Sequence, residues 1–366
     1  MEIAFILEQT LGHVTYSRNL KAVVDRDSSV APRYIDLPYE QTPLPPGLLR
    51  APVIRSDWAL RASLAAARAM KPLQGRVQAA MYHTQTTSLL SSGFMRKVPS
   101  VISLDATPKQ LVSFAAAYNA PLDTGYRARL KRRLYQHSFG AAKGFVVWSH
   151  WVKNSLAEDY GMARDKVAVI PPGIDLDRWR PAESRRQSDK ECRLLFVGGD
   201  FHRKGGASLL EWIQNTRARG WRLDIVTQSK PDVSDPRVVV HNDITPNSPD
   251  LMALYAEADV FVMPTRADCY AIAGLEALAS GIPVVIADTG GTSDIVREGI
   301  NGFLVPPDDP DKLDSALTRL IEDPVGRREM GINARLDAEE RYDVRKTIGQ
   351  TLSILREIAE QRDETA

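Results

Sequence analysis

The 366-residue sequence lacks several features that would place it in a specialised class of protein. It has only two cysteines, Cys192 and Cys269, so no disulfide framework is inferred and a reducing compartment is expected. No apolar run reaches the roughly 18–20 residues of a membrane span. The opening residues, with Glu2 and Glu8 around a short apolar run, lack the basic start of a signal peptide. We therefore expect a cytoplasmic protein, and its length suggests two domains at roughly 100–200 residues each.

Sequence signatures of several nucleotide and metal sites are also missing. The chain has no P-loop with Gly-Lys-Ser/Thr at the required spacing, no Gly-x-Gly-x-x-Gly fingerprint and no His/Cys cluster with zinc-ligand spacing. Two short segments, 25–27 and 175–177, match the Asp-x-Asp motif of metal-dependent transferases, although such pairs arise readily by chance. We predict no metal, no cofactor and no nucleic-acid partner.

The composition is that of an ordinary globular protein, with 43% hydrophobic and 25% charged residues. The net charge of +1 conceals an asymmetry: residues 1–180 hold 24 Lys and Arg against 14 Asp and Glu, whereas the remainder holds 23 against 32. A positive half can meet phosphate-bearing substrates or an anionic membrane surface. Simple attraction between the two halves is the alternative interpretation.

Short apolar runs alternate with helical patterns along the chain, which predicts α/β domains with parallel sheets. Strands are predicted at 2–7, 79–82, 101–104, 144–147 and 167–170, and then at 193–197, 223–227, 238–241, 260–263 and 284–287. A polar, proline-containing stretch, 173–191, separates the two series and is typical of a linker. We predict an N-terminal domain over 1–175, a C-terminal domain over 176–343, and a helix over 344–366 that packs back on the N-terminal domain.

The segment 259–285 is the most informative part of the sequence. A predicted strand ends at Pro264, a loop carries Asp268, and a helix starts near Tyr270 and carries Glu276 before Gly281 ends it. Carboxylates at this edge of a parallel sheet can accept hydrogen bonds from sugar hydroxyls, and a helix N-terminus can meet a phosphate. On spacing alone, Asp268 is equally well a loop acid and Glu276 a surface acid.

This segment resembles the donor site of the retaining GT-B glycosyltransferases, the large family that contains sucrose-phosphate and mannosyl transferases. The family pattern is an acid, seven residues, and then Glu-Ala-Met-Ala-x-Gly-x-Pro-Val-Val. It occurs here as Asp268, seven residues and the run 276–285, with Asp where Glu is usual. The segments 169–175 and 290–306 resemble the same family. The resemblance implies a GT-B fold, in which two Rossmann-like domains face a cleft.

A glycine-rich loop follows the first predicted strand of the second domain and carries Arg203 and Lys204. Backbone N–H groups and cations in such a loop can face phosphate oxygens. Basic loop residues are more often solvated surface, but the resemblance implies that this pair binds the diphosphate of a nucleotide sugar. Arg178 is a further candidate for the same contact, and Glu276 and Asp268 are assigned to the donor as well.

The first domain contributes two further candidates. Gly12 follows the opening strand, where the family has a glycine-rich loop near donor and acceptor. Asp105 follows strand 101–104, at a position where many relatives have a histidine that contacts the donor sugar. A carboxylate there can orient an acceptor hydroxyl or stabilise positive charge at the anomeric carbon. Alternatively, Asp105 belongs to an ordinary turn with Thr107 and Pro108.

The resemblance implies transfer of a hexosyl group from a nucleoside diphosphate sugar to an acceptor hydroxyl, with retention and without a metal, in polysaccharide, lipopolysaccharide or glycolipid synthesis. Asp105 and Glu276 are the predicted catalytic pair. A nucleotide-sugar 2-epimerase of the same fold and a non-catalytic sugar-nucleotide sensor are the alternatives. A basic helix over 124–140, with Tyr126, Leu130 and Leu134 on one stripe, is either an ordinary packed helix or a peripheral contact with a membrane that carries a lipid-linked acceptor.

Overall fold

A computed structural model describes residues 1–10, 12–39, 47, 50, 55–118, 122–182 and 191–363. They group into two compact units. The first comprises Met1–Ala115, Pro121–Gly173 and Val344–Ala366; the second comprises Ile174–Asp343 and a short segment that includes Tyr118. The boundary after Gly173 lies two residues earlier than the one predicted from the sequence. The most polar part of the predicted linker, 183–190, lies outside the described residues.

Each unit contains a six-stranded sheet in which every pairing is parallel. The strands are β1 Glu2–Gln9, β2 Ala31–Pro38, β3 Ala79–His83, β4 Ser100–Leu104, β5 Gly144–Val147, β6 Val167–Val169, β7 Cys192–Val197, β8 Trp221–Val226, β9 Val238–His241, β10 Val260–Met263, β11 Val284–Ala287 and β12 Gly302–Val305. The helices are α1 His13–Val24, α2 Trp58–Met70, α3 Gln85–Ser88, α4 Ser92–Met95, α5 Pro108–Ser113, α6 Gly125–Ala141, α7 His150–Tyr160, α8 Gly206–Asn215, α9 Pro249–Glu257, α10 Ile272–Ala279, α11 Pro310–Glu322, α12 Pro324–Arg341 and α13 Val344–Asp363.

The first sheet has the order β2-β1-β3-β4-β5-β6. Strands β3, β4 and β5 are buried along their whole length, since helices cover both faces of a parallel sheet, and their sequences are accordingly near-continuous apolar runs. The edge strand β2 was not predicted, because its side chains are mostly half-buried or exposed and form no apolar run. The ends of β1, β3 and β4 meet at one edge of this sheet.

The second sheet has the order β12-β11-β10-β7-β8-β9. Strands β10 and β11 are fully buried, and β7, which pairs with β10, carries Leu194, Leu195 and Phe196 into the core. Because β7 and β10 are adjacent, the loops that follow them lie side by side at the carboxyl edge of the sheet, where ligands of open α/β sheets bind.

The C-terminal helix α13 belongs to the first unit. It packs against α1 and the first sheet, and Arg356 donates a hydrogen bond of 2.6 Å to Asp27. A side chain at Gly173 would clash with this helix, since an added Cβ would lie 2.3 Å from the Val344 Cα. Among the described helices, none is both long and apolar enough to span a membrane.

Candidate functional site

The glycine-rich loop after β7 packs directly on the chain that follows β10. Gly205 adopts φ +87°, and a Cβ added there would lie 1.9 Å from the carbonyl oxygen of Pro264. The same contact is supported by Arg266, whose N–H donates a 2.9 Å hydrogen bond to the carbonyl of Arg203. Only glycine fits at position 205, since it tolerates the left-handed backbone and leaves room for the neighbouring strand end.

This contact brings together three of the residues that the sequence assigned to the donor. The Lys204 ammonium forms an ion pair with Asp268, and both side chains are largely buried. The Arg203 guanidinium donates a 2.9 Å hydrogen bond to the carbonyl of Ala267 and lies 4.4 Å from the ring centre of Tyr118. The Arg203 guanidinium also forms an ion pair with Asp200 at 3.4 Å. Each of the two cations thus has a carboxylate partner, at the carboxyl edge of the second sheet, where ligands of open α/β sheets bind.

The loop that contains Gly290 and Gly291 packs against the backbone of Asp268 and Cys269. Gly290 has φ +59°, and a Cβ there would lie 2.0 Å from the carbonyl oxygen of Asp268. The adjacent Gly291 N–H donates a 3.0 Å hydrogen bond to the carbonyl of Cys269. Glycine at position 290 therefore lets the backbone of the Asp268 loop approach the start of the run 290–306 closely. This close approach is a physical reason for the glycine in that run.

Glu276 lies on α10, which begins at Ile272, two residues later than predicted. Its carboxyl group is buried and accepts a 3.2 Å hydrogen bond from the Tyr255 hydroxyl. Burial raises the pKa of Glu276 to about 8, and the bond from Tyr255 only partly opposes this shift. Because this side chain is buried, the interpretation of Glu276 as a surface acid is wrong.

The structure does not bring Arg178 into this group. Its side chain is exposed, and its guanidinium donates a 3.1 Å hydrogen bond to the carbonyl of Asn247. No hydrogen bond or ion pair described in residues 174–182 and 191–343 joins Arg178 to Arg203, Lys204 or Asp268. Its assignment to the donor stays a prediction.

In the first unit, Gly12 and Asp105 lie at the start of α1 and just after β4. Gly12 is exposed and is the N-cap residue of α1. Asp105 does not cap the helix that follows it, because Thr107 does so in a capping box with Gln110. The Asp105 carboxylate instead lies 3.6 Å from the Nε2 atom of His13, and burial raises the pKa of Asp105.

His13 and His83 are functional candidates that the sequence reasoning set aside. His13 is the first residue of α1, the helix that follows β1, and His83 is the last residue of β3. The His83 Nε2 atom is 3.0 Å from His13 Nδ1. A lone histidine after a strand is more often a turn or cap residue than a catalyst, so its position in the sequence does not mark it. The missing signal was the strand order, because β1, β3 and β4 are neighbours and the residues that follow them therefore meet.

A buried carboxylate lies beside these histidines. Glu8, near the end of β1, is 5% exposed and accepts a 2.7 Å hydrogen bond from the Trp58 indole N–H. It also accepts hydrogen bonds from the hydroxyls of Thr10, at 3.0 Å, and Thr84. Three donors satisfy this carboxylate, so Glu8 fixes the ends of β1 and β3 relative to α2.

The basic helix α6 is anchored by its second half. Tyr135, Ser138 and Phe139 are buried, whereas Tyr126 and Leu130 are 72% and 43% exposed. The prediction that Tyr126, Leu130 and Leu134 form one apolar stripe is therefore wrong. Leu134 packs on the core, whereas Tyr126 and Leu130 face solvent. Exposed arginines, namely Arg127, Arg129, Arg132 and Arg133, surround them.

The two Asp-x-Asp segments are engaged in local structure. Asp27 accepts hydrogen bonds from Ser29 and Arg356, and Asp175 accepts a 3.1 Å bond from the N–H of Asp177. Among the residues with described side chains, no group of three or more His, Cys, Asp or Glu is arranged to hold a metal ion.

Comparison with known families gives two matches that cover most of the chain. The family described as Glycosyltransferase Family 4 matches residues 28–178, and the family described as Glycosyl transferases group 1 matches residues 191–323. The first match includes Asp105 and Arg178, and the second includes Arg203, Lys204, Asp268 and Glu276.

Curated relatives match at modest identity. The chain is 27% identical over 212 residues to an MMP alpha-(1->4)-mannosyltransferase of Mycolicibacterium hassiacum, covering 55% of this chain and 51% of that protein. It is 27% identical over 268 residues to a D-inositol 3-phosphate glycosyltransferase of Paenarthrobacter aurescens, covering 67% and 65%. The match thus spans half to two thirds of the length of these relatives.

Solved structures match over nearly the whole chain. A sucrose-phosphate synthase of Thermosynechococcus elongatus has a TM-score of 0.76 at 18% identity, covering 98% of this chain and 99% of that one. Anabaena Alr3699/HepE in complex with UDP-glucose has a TM-score of 0.70 at 18% identity, covering 97% and 100%. At these identities the likeness concerns the fold, which is the α/β GT-B fold of two parallel-sheet units. Together with the two family matches, it shows that the chain belongs to the GT-B glycosyltransferases.

Proposed function

We propose that the protein transfers a hexosyl group from a nucleoside diphosphate sugar to an acceptor hydroxyl. The observation that carries this proposal is the grouping of Arg203, Lys204 and Asp268, with buried Glu276 on the helix that follows. Cations there can neutralise a diphosphate, and carboxyl groups can bind sugar hydroxyls.

The roles follow from the chemistry of the reaction. The barrier is departure of the diphosphate from an oxocarbenium-like centre, so the leaving charge must be stabilised. Arg203 supplies a planar fork and Lys204 a point charge for that purpose. Asp268 holds Lys204 in place and is a candidate to bind the hexose. Glu276, in its ionised form, would accept hydrogen bonds from the ribose.

The comparisons support a nucleotide-sugar donor. Two curated relatives are named as transferases of mannosyl and glycosyl groups, and the Anabaena structure holds UDP-glucose. We propose retention of configuration and metal independence on the same family likeness, with polysaccharide, lipopolysaccharide or glycolipid synthesis as the setting and the cytoplasm as the location.

A donor screen tests this proposal. Each nucleoside diphosphate sugar is scored for thermal stabilisation of the protein and for slow donor hydrolysis. The best donor is then incubated with hydroxyl acceptors, and proton NMR of the product reports the anomeric configuration. Acceptor-free formation of an epimer would identify a 2-epimerase instead, and tight donor binding without turnover a sensor. If no nucleotide sugar binds, the proposal is wrong.

The exposed face of α6 supports a second element of the function, contact with an anionic membrane surface that carries a lipid-linked acceptor. Tyr126 and Leu130 are one helical turn apart, and basic side chains surround them, as in helices that lie in the membrane interface. We expect co-sedimentation with anionic vesicles that falls with salt and is lost in Tyr126→Ser/Leu130→Ser. The matched control is Ile332→Ser, which removes an apolar side chain that is 63% exposed on α12. Binding that ignores salt and anionic lipid would contradict this contact.

A further inference from the structure

An unpaired arginine lies at the carboxyl edge of the first sheet. Arg61 is near the start of α2, and its guanidinium carbon lies 5.3 Å from the ring centre of Tyr39 and 5.5 Å from that of Trp58. Tyr39 directly follows β2, so this group lies where the parallel strands end and where open α/β sheets bind their ligands. All three residues belong to the first unit.

Arg61 makes none of the polar contacts that a guanidinium usually makes. Its Nε atom is buried without a hydrogen-bond partner, and no side-chain hydrogen bond or ion pair joins Arg61 to another residue in the described part of the chain. A buried donor without a partner costs free energy. The Tyr39 and Trp58 rings fix the plane of the guanidinium, but they offer no oxygen to its N–H groups. The result is an oriented, positively charged fork that lacks an acceptor.

The carboxyl group of Glu8 does not fill this role. It accepts a 2.7 Å hydrogen bond from the Trp58 indole N–H and further bonds from the hydroxyls of Thr10 and Thr84. These bonds fix the Trp58 ring on which Arg61 stacks, and they use the oxygens of Glu8. Solvent therefore supplies the acceptor for Arg61 in the free protein, and a bound anion can take its place.

A second polar side chain in the same cluster also lacks a partner. Gln85 directly follows Thr84 and is 5% exposed, and its Oε1 atom is buried without a hydrogen bond among the described residues. Thr84 and Trp58 bond to the same Glu8 carboxyl group, which connects Gln85 and Arg61 to one cluster. Because buried polar atoms are nearly always hydrogen-bonded, two such groups together indicate a site for a polar ligand. The Gln85 oxygen can accept from a hydroxyl, and Arg61 can donate to an anion.

The charge and shape of the fork favour a carboxylate over a phosphate. Arg61 supplies one unpaired positive charge, since two other cations near the start of α2, Lys131 and Arg127, each pair with Asp57 and Asp123. A carboxylate carries one negative charge and presents its oxygens in one plane, which matches the bidentate geometry of a guanidinium. A phosphate monoester carries nearly two charges at neutral pH, and part of that charge would lack a partner here.

We propose that Arg61 binds the carboxylate of an acidic sugar, a uronic acid, and that Gln85 accepts a hydrogen bond from one of its hydroxyls. This inference rests on the proposed glycosyl transfer, in which the acidic sugar is the acceptor, since the residues proposed to bind the diphosphate and the ribose belong to the second unit. Arg61 is then a residue that determines acceptor specificity. It selects the charged sugar and takes no part in making or breaking bonds.

Ligands that differ in one group test this site without any change in the protein. The probes are methyl glycosides of hexuronic acids, each with its uncharged carboxamide and the corresponding hexose phosphate, and calorimetry measures their affinities. We expect the best uronate to bind roughly 10–100-fold more tightly than its carboxamide, the range for hydrogen bonds to a charged group, and this ratio should fall with salt. Failure of every uronate to bind, equal affinity for uronate and carboxamide, or tighter binding of the phosphate would each overturn the proposal.

Variants of Arg61 show whether this side chain recognises the charge. Arg61→Gln should abolish the preference for uronate over carboxamide, whereas Arg61→Lys keeps the charge without the fork and should retain part of the preference. The control Arg68→Gln removes an exposed arginine from the same helix and should behave as the wild type. If Arg61 only packs on the two rings, Arg61→Gln would lower the melting temperature and keep the full preference for the charged ligand, which would refute the proposal.

Donor binding separates this inference from the proposed transfer. Arg61→Gln should raise the KM for an acidic acceptor and leave the affinity for the nucleotide sugar unchanged. If the wild type binds a nucleotide sugar but no acidic sugar, the site at Arg61 is wrong and the proposed transfer stands. If an acidic sugar binds through Arg61 but no nucleotide sugar binds, the proposed transfer is wrong and Arg61 remains a carboxylate site.

Discussion

The two units carry candidate sites of opposite character. The site of the second unit is ionic, with Arg203 and Lys204 beside Asp268. The candidate site of the first unit is a pair of imidazoles, His13 and His83, that contact the Trp148 ring, with the Asp105 carboxylate 3.6 Å from His13. The difference bears on the proposed transfer, because a departing diphosphate needs fixed positive charge and the site of the second unit carries it.

The comparison also shows that the charge of a whole half says little about its site. The first half of the sequence is the basic one, and α6 carries five of its 24 lysines and arginines. The cluster of His13, His83 and Asp105 at the sheet edge of the first unit contains neither residue type. Arg203 and Lys204, the two cations proposed to bind the diphosphate, lie in the acidic half. The positions of the charged side chains in the candidate site are thus set by the loops after β7 and β10, and the net charge of the surrounding half does not indicate them.

Removing the Lys204 charge should have the largest effect on the second site. Lys204→Ala should cost about 2–4 kcal/mol in kcat/KM, the scale seen when one preorganised electrostatic contact is lost. The measurement is steady-state kinetics with the best donor, and exposed Lys312→Ala on α11 is the control.

Lys204→Ala also leaves Asp268 as a buried carboxylate without its ion-pair partner, which can destabilise the unit. The double variant Lys204→Met/Asp268→Asn carries neither charge and separates the two effects. A folded double variant with wild-type turnover would place the diphosphate elsewhere.

Gly205 joins the two loops of the ionic site, so a side chain there should disturb it next most strongly. Gly205→Ala should lower the stability of the protein by about 1–3 kcal/mol, the range for a strained backbone position. It should also weaken donor binding, because Lys204 would shift with Pro264. Gly299→Ala is the matched control, since Gly299 has φ +70° but no atom near its Cβ position. Equal melting temperatures for the two variants would show that the contact with Pro264 is unimportant.

The same comparison explains what the sequence could predict. Arg203, Lys204, Asp268 and Glu276 lie within short runs after two predicted strands, so a linear pattern contained them. His13, His83 and Asp105 come from three separate strand ends, and only the order β1-β3-β4 brings them together. Strand order depends on non-local packing, which composition and periodicity do not specify. The edge strand β2 was missed for a related reason, since a half-exposed strand lacks the apolar run that marks a buried one.

Glu276 predicts a pH dependence of stability. Its pKa is about 8 in the folded protein and its ordinary value is 4.5, so the folded state holds this proton more tightly than the unfolded state. Stability contributed by this group is full below about pH 4.5 and is lost as pH rises towards 8. Glu276→Gln should flatten this decline in thermal melting and should melt higher than the wild type near pH 8. The exposed control Glu322→Gln should follow the wild type.

Glu276→Gln should bind the donor more weakly than the wild type, although it should be the more stable protein near pH 8. If ribose hydroxyls donate to an ionised Glu276, binding releases a proton, and wild-type affinity should rise with pH up to about 8. Glu276→Gln should bind the donor weakly at every pH. Calorimetry in two buffers of different ionisation heat measures the proton release. A binding reaction that releases no proton in this range would place the ribose away from Glu276.

The smallest expected effect is that of a chelator. If Arg203 and Lys204 oppose the diphosphate charge as proposed, a divalent ion should add little in the wild type. Initial rates after treatment with EDTA should then stay within about twofold of the untreated rate. The contrast with Lys204→Ala makes this a sharper test. If the Lys204 ammonium neutralises the leaving diphosphate as a metal ion does in metal-dependent transferases, added magnesium or manganese should partly restore the activity of Lys204→Ala. The activity of the wild type should stay unchanged. Complete loss of wild-type activity in EDTA, restored by either ion, would mean that the two cations do not suffice and that the leaving group departs with a metal.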